Sequence, residues 1–380
     1  MIATMIDGYT SKKFGAVKAA FEANFEQGND VGASVALVHK GEIVVDLWGG
    51  HIDTAKTSEW QRDTLINVWS TTKTMTALCV LMLADQGAID YDAPVAKYWP
   101  EFAANGKEGV LVRHVMSHTA GLPGWDEPIT PETLLDWDKT CSLLAAQAPW
   151  WTPGDGSGYH AVSQGYLAGE IVRRVSGKSL GTFFAEQVAG PLGADFHIGT
   201  NQAQDHRVIP VIPPPSGAID AQLLELDGIA KRALGNPSMA AEESWTIPWR
   251  RAEIPAAGGH GNARSVAIAQ SAVSHGGSAF GRRLFREGAT DSIFREQCNG
   301  QDRVLLMPFR HGIGWGLASE AVPMPNATCC WWGGWGGSLV VNDLENGLTF
   351  AYVMNRMLEG TSGDMRAGNL LGAAYMALMS

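Results

Sequence analysis

Several things are scarce in this chain, and each scarcity removes a class of answer. No apolar run is long enough to cross a bilayer, which excludes a membrane-spanning helix and makes a membrane partner unexpected. No N-terminal stretch joins basic residues, an apolar segment and a small-residue cleavage site, so the expected location is cytoplasmic. The cysteines, Cys79, Cys141, Cys298, Cys329 and Cys330, are odd in number and lack metal-ligand spacing, which points to reduced thiols and away from disulfides or a metal cage. Positive charge is short too: 28 Lys and Arg against 39 Asp and Glu leave a net charge of -11, which argues against nucleic acid as a partner. Internal repeats and low-complexity tails are missing.

What is present is glycine and tryptophan, 45 and 14 of them in 380 residues that are 45% hydrophobic, the composition of a compact, loop-rich enzyme of two structural parts. Lys12 to Gln27 carry a helical pattern, and Ala33 to Val38 with Ile43 to Trp48 flank His39-Lys40-Gly41-Glu42 as a β-hairpin. Residues 96–249 read as a mainly helical insertion, with helices over Leu111 to Met116, Pro131 to Ala146 and Val162 to Val175 and irregular loops at Pro210 to Pro215 and Asn236-Pro237. Strand patterns return at Gly312 to Ala318, Gly336 to Asp343 and Leu348 to Met354, and a last helix spans Gly363 to Met379. Strands at both ends and helices between predict an α+β fold. Residues 1–95 and 250–380 would form one lobe around a central antiparallel sheet flanked by helices, with a site between it and the insertion.

The most apolar stretch begins at Asn67-Val68-Trp69-Ser70-Thr71-Thr72-Lys73 and runs to Ala84 before Asp85-Gln86-Gly87, which reads as one buried helix stopped by glycine. Ser70 and Lys73, three apart, share a face at its first turn. Lost hydration and the sign of the helix dipole both lower the pKa of a lysine there, so Lys73 is a candidate activator of a Ser70 nucleophile; the plainer alternative is a lysine reaching out to water.

Such a pair needs a proton relay and amide donors for an oxyanion. Tyr159 closes the loop Gly154-Asp155-Gly156-Ser157-Gly158 and supplies a phenol, with His160 beside it to touch substrate or tune that phenol. Trp331-Trp332-Gly333-Gly334-Trp335-Gly336-Gly337-Ser338 runs into a strand whose edge can offer an amide opposite that of Ser70, or is simply an aromatic-packed bend. Gly177-Lys178-Ser179-Leu180-Gly181 matches the nucleophile-elbow pattern but follows a helix instead of a strand, so it reads as a helix-ending turn. His114 and His118 lack the third ligand of a metal site, and no metal or organic cofactor is needed.

Ser70-Thr71-Thr72-Lys73, Leu111 to Pro123 with Ser117-His118-Thr119-Ala120-Gly121, Tyr159, Ala256-Ala257-Gly258-Gly259 and the segment from Trp332 to Asp343 together resemble the serine β-lactamase-like superfamily. Within it the likeness is to the family VIII carboxylesterases related to class C β-lactamases, over most of the chain. That resemblance implies a β-lactamase/penicillin-binding-protein-like fold, Ser70 as the acylated nucleophile, Lys73 and Tyr159 sharing proton transfer, and the amides of Ser70 and Trp335, or else Ser338, as the oxyanion hole. Two departures matter: Trp332 stands where β-lactamases carry the lysine of Lys-Thr-Gly, and Ala161 replaces the asparagine two residues after the tyrosine. Both favour a small uncharged ester, short-chain or aromatic, over a β-lactam. The pocket expected from proximity to the motifs is lined by Trp69, Trp125, Trp151, Trp332, Gly333, Gly334 and His160. The rival readings are a β-lactamase or D-amino-acid amidase on the same fold, an acyltransferase to a large alcohol or amine, and a penicillin-recognising binding module without turnover.

Overall fold

The computed structural model describes residues 5–215 and 228–380. Nine strands form one antiparallel sheet in the order Ile6–Thr10, Glu42–Gly50, Gly32–His39, Leu348–Met354, Leu339–Asp343, Cys329–Gly333, Gly316–Leu317, Pro308–His311, Cys298–Gln301. The join between the two ends of the chain is the pairing of Gly32–His39 with Leu348–Met354, from Ala33 opposite Met354 to His39 opposite Leu348. Both strands are buried along almost their whole length, so neither shows the polar alternation of a solvent-facing sheet. Helices Gly15–Glu26 and Met365–Met379 pack against each other, while helix Ala263–Ser274 packs between these central strands and the helix Thr72–Asp85.

Thr72–Asp85 is buried from Thr72 through Leu83, as expected of a helix apolar on all faces. Its threonines are tolerated because their hydroxyls bond backward or across: Thr72 Oγ1 donates to Trp69 O (2.6 Å), Thr74 Oγ1 to Thr71 O (2.8 Å) and Thr76 Oγ1 to Pro255 O (2.7 Å). Gln270 ties the layers together. Its Nε2 donates to Thr74 O (3.0 Å), and its Oε1 accepts from Asn342 Nδ2 (3.1 Å) and Trp315 Nε1 (3.3 Å).

The intervening segment is mostly helical, but its short strand His197–Ile198 pairs with Gly259–Gly261, which also pairs with Ile66–Asn67 just ahead of Ser70. Three expected elements differ. Pro131 to Ala146 is two helices, Pro131–Leu135 and Trp137–Ala146, because Asp136 leaves the helical conformation and its Oδ1 caps the second by accepting from Lys139 N (3.0 Å). Gly312 to Ala318 is not one strand: Gly312 N–H donates to Trp315 O (3.0 Å), and the chain reverses between Pro308–His311 and Gly316–Leu317. The strand expected from Gly336 starts at Leu339, since Gly336 and Gly337 at φ +94° and +123° make the turn before it. Among the described residues no helix is long and apolar enough to cross a membrane, and no group of three or more His, Cys, Asp or Glu could hold a metal ion.

Candidate active site

Ser70 lies in a 3₁₀ turn, Trp69–Thr71, that leads into the central helix. Trp69 has φ of +50°, a left-handed conformation that a bulky side chain adopts only where its surroundings hold it. Its indole is wedged between Trp335 and Trp249, with ring centroids 4.8 and 5.6 Å away. Val68 N–H donates to Gly259 O (2.9 Å), and Asn67 Oδ1 accepts from Trp249 Nε1 (3.0 Å), so both ends of the wedge are anchored. The strain therefore sits one residue before the serine.

Lys73 is 1% exposed. Its Nζ donates to Ala161 O (2.7 Å) and Ala256 O (2.9 Å), and lies 3.0 Å from Ser70 Oγ. A neutral amine has two hydrogens for the two carbonyls, which leaves its lone pair facing the Ser70 hydroxyl. Burial pushes the Lys73 pKa well below the ordinary lysine value, in agreement with that arrangement.

The phenol of Tyr159 is 2.5 Å from Ser70 Oγ, and its ring centroid is 4.9 Å from Lys73 Nζ. Sequence reasoning gave no reason to look for the group that places it. Asp302, fully buried, accepts at Oδ1 from the backbone N–H groups of Tyr159, Val304 and Leu305, each at 2.9 Å. Burial raises the Asp302 pKa, but His311 and these amides outweigh it and hold the carboxyl at about 2. His118, at φ +59°, packs against Tyr159 with centroids 5.3 Å apart, and its Nδ1 accepts from His160 N–H (3.1 Å). Burial lowers its pKa well below the usual histidine value, so it is a neutral packing surface.

The fourth part is the turn Gly334 to Ser338. Gly334 passes so close to Ser70's turn that a Cβ on it would stand 2.3 Å from both Val68 O and Ser338 Oγ. Only glycine permits that approach. Among the described residues the Trp335 amide has no hydrogen-bond acceptor. The turn is braced from behind by Arg366, whose Nη2 donates to Gly336 O (2.6 Å) and whose Nη1 pairs with buried Asp30 (3.2 Å). The Ser338 hydroxyl is spent on Val68 O and Thr71 Oγ1, both at 2.9 Å.

A narrow recess opens beside Ser70, walled by Trp69, Val162, Leu234, Met239, Ala257 and Trp335 among others. Of the expected pocket residues Trp69 lines it, and so does Trp335 of the expected oxyanion hole. Trp332, 4% exposed, stacks on His118 at 5.2 Å and stands 6.1 Å from the Tyr159 ring, a support under the phenol. Gly333 is covered by Ser362 and Gly363. Trp151 lies off the recess, over Arg303 at 5.1 Å. Two of the expected contacts are corrected. Trp125 is core, its indole N–H donating to Thr140 O (3.1 Å). His160 is fully buried with both ring nitrogens on backbone, Nδ1 donating to Gly158 O (2.6 Å) and Nε2 accepting from Leu122 N–H (3.0 Å); burial lowers its pKa to about 4. The wall is thus more aliphatic than its neighbouring tryptophans suggested. Ser179 caps the helix Leu180–Phe184 and donates to Glu253 Oε1 (2.6 Å), which is a structural assignment for the elbow-like pentapeptide.

The chain is similar to the "Esterase/beta-lactamase LipL" of Mycobacterium tuberculosis, 37% identical over 92% of this chain and 83% of that protein. Among solved structures it is similar to a family VIII carboxylesterase, at 42% identity, TM-score 0.92, and coverage of 98% of this chain and 100% of the other. It is also similar to a penicillin-binding protein homologue from Caulobacter crescentus, at 38% identity, TM-score 0.91, and coverage of 98% and 100%. The family model described as Beta-lactamase matches residues 20–375. A serine, a lysine and a tyrosine joined on an α+β scaffold, inside a match that spans nearly the whole chain, place this protein in the β-lactamase family.

Proposed function

We propose that the protein is a carboxylesterase that hydrolyses short-chain or aromatic esters of small uncharged acids through an acyl-enzyme on Ser70. The observation that carries the reading is the junction at Ser70 Oγ, which has Lys73 Nζ at 3.0 Å and Tyr159 Oη at 2.5 Å while two carbonyls hold the amine in place. Lys73, neutral, accepts the Ser70 proton as the oxygen attacks the ester carbonyl. The oxyanion is met by the amides of Ser70 and Trp335; Trp335 lines the recess together with Ser70 and Ser338 does not, which favours the Trp335 amide over that of Ser338. Collapse expels the alkoxide, which leaves as the alcohol with a proton delivered through Tyr159. Water repeats the route in reverse and frees the acid.

The names borne by the relatives support an esterase, and Trp332 and Ala161 remove the cation and the asparagine amide that a β-lactam reading would use. The recess draws its walls from residues 1–95 and 250–380 on one side (Trp69, Ala257, Trp335) and from 96–249 on the other (Val162, Leu234, Met239), which supports a two-lobe division with the site between. Five unpaired thiols fit a reducing compartment, and the cytoplasm is the proposed location. The test is Ser70→Ala: turnover of p-nitrophenyl butanoate should fall by about four orders of magnitude or more with the melting temperature little changed. Activity near that of the parent would refute the assignment.

A further inference from the structure

The Ser70 recess does not end in solid core. Behind Pro237 and Met239 lies a second, mainly apolar recess, walled by Ile129, Pro131, Leu134, Leu135 and Trp249 with Glu243 and Thr246 also on its lining, and the same Pro237 and Met239 line both spaces. The wall between them is thin and its backbone is fixed. Asn236 Oδ1 accepts from Ile129 N–H (2.8 Å), and its Nδ2 donates to Trp125 O and Glu127 O (2.9 Å each). The connection between helix Ile229–Leu234 and the 3₁₀ turn Ala241–Trp245, which carries Met239, therefore stays in place, and what separates the recesses is a buried, unbranched thioether side chain, the type that changes shape most readily in a core.

The inner recess also carries no polar group suited to an amide-bearing acid. Its walls beyond Ser70, Trp69, Ala257 and Trp335 are Ala161, Val162, Ala233, Leu234, Pro237 and Met239. A hydrocarbon acyl chain needs only apolar area, and this path supplies it from the reacting serine outward. Resting on the esterase reading above, we infer that the acyl chain of the ester runs along Val162 and Leu234 toward Met239, and that Met239 sets the length limit by closing off an outer subsite for a longer chain.

The experiment measures kcat/KM for p-nitrophenyl acetate, butanoate and octanoate with the parent, Met239→Ala and Met239→Phe, each checked for folding by its melting curve. A newly buried methylene is worth about fourfold in binding, and octanoate has four more than butanoate. Met239→Ala should raise the octanoate-to-butanoate ratio by about tenfold or more, and adding Leu134→Trp to it, which fills the outer recess, should return the ratio toward the parent value. Met239→Phe should move the other way and lower the butanoate-to-acetate ratio. Unaltered ratios in both folded single variants would overturn the assignment of Met239, as would a Met239→Ala gain that Leu134→Trp leaves untouched. Should Met239→Ala fail to fold, Met239→Val with the same substrates gives the smaller shift in the same direction. Failure of the esterase reading looks different: the parent itself turns over none of the three esters and Ser70 is not labelled by a fluorophosphonate.

Discussion

The two ends of the recess beside Ser70 are built on opposite principles. At one end Ser70, Lys73 and Tyr159 meet through hydrogen bonds of 2.5 to 3.0 Å, and the neutral lysine's two hydrogens are fixed on two carbonyls. At the other end Val162, Leu234 and Met239 present hydrocarbon with no directional contact. The difference separates two kinds of requirement. The polar end fixes atoms to fractions of an ångström and tolerates no exchange of side chain, whereas the apolar end needs only volume and area, so substitution there changes which ester is accepted.

The sharpest way to break the comparison is at the polar end. Lys73→Ala and Tyr159→Phe should each lower kcat by about two to four orders of magnitude, and the double variant should lose scarcely more than the worse single one, because the two side chains serve one proton route. Multiplying losses would show that they act separately. Asp302 comes next. It touches no reacting atom but holds the Tyr159 backbone N–H, so Asp302→Ala should lower kcat by about tenfold or more with a smaller change in KM, while Asp302→Asn, which keeps an oxygen for the three amides, should recover most of that loss. Equal activity of the two variants would remove Asp302 from the positioning role. The smallest effect is expected at Ser179, outside both ends. Ser179→Ala should cost about 1 kcal/mol of stability through the lost helix cap and leave ester turnover unaffected, read by chemical denaturation and by steady-state rates. Loss of turnover would revive the elbow reading.

How much of this was legible depended on whether a local pattern carried the information. The hairpin at Gly32–His39 and Glu42–Gly50, the central helix and the last strand are written in periodicity and turn residues, and each falls close to its expected bounds. Ser70 and Lys73 were legible because helical spacing alone brings them together. Tyr159 was found from a glycine-rich loop together with a family resemblance. Other parts left no local signal. Asp302 is 143 residues from the backbone N–H it holds, and Arg366 is 30 from the Gly336 carbonyl it braces. The left-handed Trp69 is imposed by packing against Trp249 and Trp335, which no neighbour in sequence announces. The strand Cys329–Gly333 was hidden by the glycine at its end and by its adjacent cysteines, although it is buried throughout. Trp125 and His160 failed as pocket residues for one common reason: nearness to a motif in sequence says nothing about which way a side chain faces.

The state of Lys73 is the point on which the chemistry turns, and the pH dependence of kcat/KM for p-nitrophenyl butanoate reads it most directly. Burial depresses this amine's pKa well below the ordinary value of 10.5, and the base form is the deprotonated one, so the rate should reach its plateau below the pH at which an ordinary lysine titrates and fall on acidification from that plateau as Lys73 gains its proton. A rate that instead keeps climbing roughly tenfold per pH unit from neutral up to the titration of an ordinary lysine would mean an ammonium beside Ser70, and would contradict the proposed proton route.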